Sequence, residues 1–270
     1  MSTESARIRP PAVAGAFYPA DPGSLRRTVE ALLDVGAPPR PAFGAVVPHA
    51  GYVYSGGVAG KTYSLLDIPQ RVVVLCPNHT GLGASAAVDS HDAWRTPLGD
   101  VPVDAGLAAD FLRRCPRATL DDRAHVAEHS LEVQLPFLQL RRPDVRFLPV
   151  CLGAADLDLC REVGQACGEL AAGGALLLAS SDMNHYESRH VGNRKNRMAL
   201  DRIEAIDPEG LFATVLSEDI SMCGFLPATA LLYAARSSGI TRAEVVAQAD
   251  SGDRTGDPSS VVGYAGVVIG

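Results

Sequence analysis

The feature that most constrains this fold is a set of short, almost wholly apolar segments that alternate with longer amphipathic ones. The segment RVVVL at 71–75 is rich in β-branched residues, and ALLLA at 175–179 is apolar at every position. Both patterns predict strands that are buried on their two faces. Such strands are typical of a sheet covered by helices on both sides. We therefore predict an α/β fold in which a central sheet is flanked by helices on both faces.

The other elements are predicted from periodicity and from capping residues. Asp21 followed by Pro22 predicts the start of the first helix, because aspartate caps helices and proline fits the first helical position. Further helices are predicted at 56–66, 104–114, 129–140, 157–172, 194–205 and 225–235, and further strands at 45–47, 85–88, 145–151, 244–249 and 261–269.

Composition excludes several classes of partner. The formal net charge is −7 and the basic residues form no block, which argues against nucleic acid and membranes as partners. The six cysteines include no CxxC pair, so neither a structural zinc site nor a disulfide scaffold is predicted. No signal-peptide pattern and no apolar run of about 18 residues is present. Because no linker or repeat interrupts the chain either, we expect a cytoplasmic protein with one domain over residues 1–270.

Three histidines follow predicted strands closely. His49, His79 and His185 each lie within a few residues of the C-terminal end of a strand, which is the edge where open α/β sheets bind ligands. Each one taken singly is better explained as a hydrogen-bonded loop or core residue. Taken together they favour a metal site, because neutral imidazole is the commonest ligand for Zn, Cu and Fe.

Neighbouring residues have two interpretations each. Asp182 either orients His185 or caps a following helix. Cys223 is either a buried structural cysteine or a thiolate favoured by the helix that follows it. His129 either caps the helix that it begins or points into the pocket, with Glu128 beside it as a hydrogen-bond acceptor or a solvated charge.

Four further side chains are expected to play no part in the site. We expect these four to be solvated: Glu132, His91, His125 and His190.

Seven motifs together resemble those of the Memo family, in that family's order. They are RPPAVAGAFYPADP, VPHAGYVYSG, LCPNHTG, EHSLEVQLPFL, SSDMNHY, MCGF and VVGYAGVV. They extend from Arg9 to Val268, so the domain core is expected at about 9–269. The resemblance implies a fold similar to that of class III, LigB-like extradiol dioxygenases.

The resemblance also implies roles for individual residues. By motif, His49, His79 and Cys223 are the metal ligands, and His185, Asp182 and His129 are the remaining pocket residues, with catalytic roles if the site turns over. The dioxygenases of this fold have a carboxylate where this chain has Cys223. A thiolate is softer than a carboxylate and favours Cu(I) or Zn more strongly. The expected cofactor is Fe(II), with Cu or Zn as alternatives.

Two functions follow from this resemblance. The first is a non-haem iron dioxygenase or related redox enzyme that acts on a small aromatic or phenolic molecule. The second is a protein without turnover, which either holds iron or copper or presents the emptied, vestigial pocket to a peptide or partner protein. The family's prokaryotic gene neighbourhood implies a link to radical-SAM and AMMECR-type proteins.

Overall fold

The computed structural model describes residues 6–33, 36 and 38–270. The α-helices are α1 Pro22–Leu32, α2 Tyr52–Leu65, α3 Ala105–Arg114, α4 Leu135–Arg141, α5 Leu157–Ala172, α6 Arg189–Glu204, α7 Pro208–Ser217, α8 Phe225–Ser237 and α9 Gly252–Thr255. The strands are β1 Ile8–Arg9, β2 Gly44–Val47, β3 Arg71–Pro77, β4 Ala86–Val88, β5 Ala93–Thr96, β6 Gly99–Pro102, β7 Thr119–Leu120, β8 Arg146–Leu152, β9 Leu176–Ser180, β10 His185–Glu187, β11 Ala243–Asp250 and β12 Val261–Ile269.

The large sheet is mixed. Its strand order is β10-β12-β2-β9-β3-β8-β4-β7, and β11 also pairs with β12. The four central strands β2, β9, β3 and β8 are parallel to one another, whereas β12 and β4 run antiparallel to their inner neighbours. A small second sheet has the order β1-β5-β6. The carboxyl ends of β2, β9 and β3 therefore lie side by side at one edge of the large sheet.

Helices cover both faces of this sheet, and the strand residues alternate between them. Val73 and Leu75 of β3 pack in a core with α3, α5, α6, α7 and α8. Val72 and Val74 of the same strand pack in a second core with α1, α2 and α4. This alternation follows from the two-residue period of a strand. It confirms the predicted α/β class and explains why RVVVL has no polar face.

Most predicted elements are present, with bounds that differ by a few residues. The first helix begins at Pro22 with the Asp21 carboxylate accepting from Ser24 N, as predicted. The helix predicted at 157–172 and the strand predicted at 261–269 have those bounds in the structure. The helix predicted at 56–66 begins four residues earlier, at Tyr52. Its N-terminal turn therefore follows directly after the loop that carries His49.

One helix prediction is wrong over its first half. Residues 129–140 were expected to form one helix that begins at His129, but a 3-10 helix spans Glu132–Gln134 and α4 begins only at Leu135. Pro136 lies in the first turn of α4, a position that proline favours because its missing N–H has no partner there. His129 consequently lies in a loop and does not cap a helix.

No helix within residues 6–33, 36 and 38–270 combines the length and the apolar character that a membrane crossing requires.

Candidate metal centre

His49 and His79 lie just beyond the carboxyl ends of the parallel strands β2 and β3, on either side of β9. The centroids of their two imidazole rings are 5.2 Å apart, and the rings are nearly perpendicular. His49 is buried, whereas His79 is partly exposed at the edge of a cavity. The sequence prediction that these two histidines meet at one edge of the sheet agrees with this geometry.

Cys223 reaches the same point from the loop before α8. Its Sγ lies 3.1 Å from His49 Nε2 and also accepts a hydrogen bond from Asp182 N at 3.3 Å. The next residue, Gly224, packs against the end of β9, where an added Cβ would lie 2.2 Å from Ser180 O. Only glycine allows this close approach of the two backbones. The glycine thus holds the thiol beside the histidines.

The three side chains form a group whose donor atoms all lie within 4.8 Å of one another. Metal–nitrogen and metal–sulfur bonds of about 2.0 and 2.3 Å place the ligand atoms of one tetrahedral ion about 3.5 Å apart. The donor set of two imidazoles and one thiol therefore fits a single transition-metal ion. The three donors also leave one side of such an ion open toward the cavity, as catalytic metal sites require.

Hydrogen bonds fix the tautomer of both histidines. Ser180 Oγ donates its one hydrogen to Ser130 O at 2.6 Å, so it accepts from His49 Nδ1 at 2.9 Å. His79 Nδ1 likewise donates to the Glu128 carboxylate at 2.9 Å. Both Nε2 atoms then present lone pairs for a metal. Such partners orient the ligands and raise their basicity.

Glu128 is fully buried and organises this side of the centre. Its carboxylate also accepts from the backbone N–H of His79 at 2.7 Å and from the Ser130 hydroxyl at 2.7 Å. Burial alone would raise the pKa of Glu128, but its hydrogen bonds with His79 and Ser130 lower it to about 2. Glu128 is therefore a buried, ionised hydrogen-bond acceptor, which is the first of its two interpretations from the sequence, and it is not a solvated charge.

His129 lies over His79. The two rings are stacked, with centroids 4.6 Å apart, and His129 Nδ1 is 3.5 Å from a Glu128 oxygen. Burial lowers the pKa of His129, so the ring is neutral at pH 7. His129 lines the cavity and belongs to the pocket, as the motif implied.

Asp182 does not orient His185, and it does not cap a helix. Its Oδ1 accepts from the backbone N–H of His49 at 2.8 Å, so the carboxylate fixes the loop that carries His49. Burial raises the pKa of Asp182 to about 7, even though the hydrogen bonds from the backbone N–H groups of His49 and Ala50 lower it. The three-residue spacing to His185 suggested a contact that the turn between β9 and β10 does not make.

His185 is held instead by the loop before Cys223. Its Nδ1 lies 2.7 Å from Ser221 O, and because a carbonyl only accepts, Nδ1 carries the hydrogen. Its Nε2 therefore has a free lone pair. Burial lowers the pKa of His185, which keeps the imidazole neutral. His185 lines the cavity outside the three-residue donor group.

Of the two interpretations that the sequence left open for Cys223, burial argues against the thiolate favoured by the following helix. Position before a helix was expected to lower its pKa, but burial and the nearby Asp182 carboxylate raise the pKa of this thiol. No lysine or arginine side chain lines the cavity within the described residues. In the metal-free protein Cys223 is therefore a thiol, and its ionisation requires the positive charge of a metal.

A cavity of about 750 Å³ opens above these residues. Its walls carry the aromatic side chains Phe17, Tyr54, Tyr186 and Tyr264. This volume is in the range of small-molecule sites, which are mostly apolar with a few convergent polar groups. The candidate centre forms its floor.

Two sequence expectations outside the centre are wrong. His125 is fully buried and its Nε2 donates to Ala87 O at 3.0 Å. Glu132 is fully buried and pairs with the buried Arg9 at 2.7 Å, and it also accepts from Tyr18 Oη at 2.6 Å. This pairing fixes the N-terminal segment that includes Phe17. The expectation of solvent exposure holds for His190 and in part for His91.

Sequence reasoning missed Ser180, Ser221 and Tyr186 as parts of this site. Ser180 acts through its hydroxyl and Ser221 through its hydroxyl and its carbonyl, which no spacing pattern reveals. Tyr186 adjoins His185 in the motif SSDMNHY, so the motif was the signal that could have identified it.

The fold and this site define an α/β protein with a candidate His, His, Cys metal centre at the carboxyl edge of a mixed sheet. The profile of the Memo-like protein family matches residues 9–268. A MEMO1 family protein of Methanopyrus kandleri is 43% identical to this chain and covers 97% of it and 98% of the relative. One of Aquifex aeolicus is 40% identical and covers 97% of this chain and 99% of the relative. The chain belongs to the Memo family.

A solved structure supports the fold alone. An uncharacterized protein of Escherichia coli K12 superposes with a TM-score of 0.56 at 18% identity, and the match covers 78% of this chain and 90% of that chain.

Proposed function

We propose that this protein is a mononuclear metal-dependent oxidoreductase that acts on a small aromatic or phenolic molecule. The observation that carries the proposal is the convergence of His49, His79 and Cys223, whose donor atoms lie within 4.8 Å of one another on the floor of an aromatic-walled cavity. We propose iron as the metal, with copper and zinc as the alternatives to be tested. A redox-active iron bound there supplies electron transfer and oxygen chemistry.

The protein's own residues would supply orientation and proton transfer. His185 faces the cavity with a free Nε2, so it is suited to accept a proton from a phenolic hydroxyl. Glu128 and Ser180 hold the two histidine ligands in one tautomer. Asp182 holds the backbone of the His49 loop. The aromatic walls exclude water from one side of the reacting molecule.

The first prediction concerns metal affinity. His49→Ala and Cys223→Ser should each weaken metal binding by more than about 100-fold, because losing a ligand costs more than the 10- to 100-fold typical of residues behind the ligands. Metal content is measured after anaerobic reconstitution with Fe(II), Cu(I) or Zn(II). His190→Ala is the matched control, since His190 is exposed and outside the cavity. Unchanged affinity in both ligand variants would refute the centre.

The same preparations test turnover. His185→Gln should keep its metal and lose activity on a panel of catechols, whereas loss of metal would make His185 a ligand. Metal binding without turnover in the wild type would favour the alternative of a non-catalytic metal-binding protein. The links to radical-SAM and AMMECR-type proteins stay predictions.

A further inference from the structure

Tyr186 has an unusual backbone conformation beside the candidate centre. Its φ is +60°, in the left-handed region that bulky side chains rarely occupy. It lies in β10 at an irregularity in the pairing with β12, where the register shifts between His185 and Glu187. Bulges of this kind re-aim a side chain and are frequent next to active sites.

The residues on both sides of Tyr186 are firmly anchored. His185 is held at both N and Nδ1 by Ser221, at 2.7 Å each. Glu187 accepts from Asn184 Nδ2 at 2.6 Å and forms an ion pair with Lys195 at 3.0 Å. A strained residue persists only where its surroundings determine its conformation, and such residues cluster at ligand clamps. The anchors therefore hold the Tyr186 ring in a defined place.

That place is the mouth of the cavity. Tyr186 is 79% exposed, more than any other large hydrophobic side chain of the described residues, yet it lines the cavity. Its ring centroid is 5.6 Å from that of His185. Tyr54, which is also exposed, is a further aromatic residue of the lining. A ring left in solvent above a pocket has an open face for a planar ligand.

The charge of the lining restricts the ligand further. Among the described residues, no lysine or arginine lines the cavity, and the one carboxylate there is Asp182. A site for phosphates or carboxylates would present arginine or lysine. The lining thus favours an aromatic ligand without net charge.

We propose that Tyr186 is a specificity-determining residue that stacks on an uncharged aromatic ligand held over the metal centre. This inference rests on the proposed function, because the ligand is the substrate class proposed there. The strained backbone, the anchored neighbours and the exposed ring at the cavity mouth carry it together.

The experiment measures binding of catechol at pH 7 to zinc-loaded protein by calorimetry, because zinc has no redox chemistry. Tyr186→Asn should bind catechol about 2- to 10-fold more weakly than the wild type, since an aromatic pair contributes about 0.5–1.5 kcal/mol. Asparagine tolerates the left-handed conformation, so the variant should fold. Tyr186→Phe should bind like the wild type, because it keeps the ring. Leu216→Asn, at an exposed apolar position in α7, is the control.

Two outcomes would overturn the role of Tyr186 alone: equal catechol affinity in Tyr186→Asn and the wild type, or equal losses in Tyr186→Asn and Tyr186→Phe. cis-1,2-Cyclohexanediol is the comparison ligand, because it has two neighbouring hydroxyls but no aromatic ring. If Tyr186→Asn weakens binding of this diol as much as binding of catechol, stacking is also overturned. Wild type that holds zinc but binds no catechol would overturn the ligand class and leave the metal centre standing. Failure to hold zinc or any other metal would refute the proposed function itself.

Discussion

Among the carboxyl groups near the candidate centre, Asp182 is the one whose pKa differs most between the folded and the unfolded chain. It is buried and meets backbone N–H groups rather than a basic side chain. Burial raises its pKa from 3.8 to about 7. A carboxylic acid with a raised pKa stabilises the fold while it is protonated, and this stability is lost as the pH rises through the folded pKa.

The resulting prediction is a pH dependence of stability in metal-free protein. Between about pH 4 and pH 7 the native chain retains a proton that the unfolded chain has released, so Asp182 should lower the free energy of unfolding by about 2–4 kcal/mol as the pH rises. Asp182→Asn should remove this component, measured as the difference between urea unfolding curves of the two proteins from pH 4 to pH 8. Asp158→Asn is the control, since Asp158 is exposed. Parallel pH profiles for Asp182→Asn and wild type would contradict the account.

Individual residues show how far sequence reasoning reaches. His49 and His79 were identifiable, because both follow strands at the sheet edge where ligands bind. The ligand role of Cys223 was implied only by the family resemblance. The partner of Asp182 was not identifiable, because a spacing of three residues does not fix the path of an irregular turn. The burial of Glu132 depends on Arg9, which is more than a hundred residues away in sequence.

At the scale of elements, the junction between the end of β9 and the start of α8 positions the thiol. An added Cβ on Gly224 would lie 2.2 Å from Ser180 O and 2.5 Å from Ser181 Cβ. Contacts this short require the backbones to move apart, which would carry Cys223 away from His49. The geometry of the candidate metal centre thus depends on a residue that offers no ligand.

Gly224→Ala should therefore lower both stability, by about 1–3 kcal/mol, and metal affinity. Gly57→Ala is the matched control, because Gly57 is exposed within α2 and an added Cβ there meets nothing within 4 Å. The control should be stabilised by about 0.5–1 kcal/mol. Thermal unfolding measures the stability of the two variants, and metal titration measures their metal affinity. Normal metal affinity in Gly224→Ala would show that the junction does not position Cys223.

Elements with strong periodicity were predictable, and short irregular ones were not. Helix α5 and strand β12 were predicted at their observed bounds, because their apolar patterns end at turn residues. Strands β5, β6 and β10 were missed, since each has only three or four residues and gains its stability from partners distant in sequence. The helix expected at 129–140 satisfied the period but was interrupted before α4 by long-range contacts of Glu128 and Glu132.

For the whole molecule, the parallel centre of the sheet explains why distant segments meet. Strands β2, β9 and β3 are adjacent although β9 is far from both in sequence, and two helical layers keep them buried. Their carboxyl ends present His49, Asp182 and His79 to the same cavity. Sequence patterns predicted the α/β class, whereas the order of the strands in the sheet could be read only from the structure.

The central claim is that one metal ion is bound by His49, His79 and Cys223. X-ray absorption spectroscopy of zinc-loaded protein tests it most directly. We predict one sulfur scatterer at about 2.3 Å together with nitrogen scatterers at about 2.0–2.1 Å, with the sulfur lost in Cys223→Ser and kept in a Cys160→Ser control. A first shell of nitrogen and oxygen alone in the wild type, or a sulfur shell unchanged in Cys223→Ser, would contradict the claim.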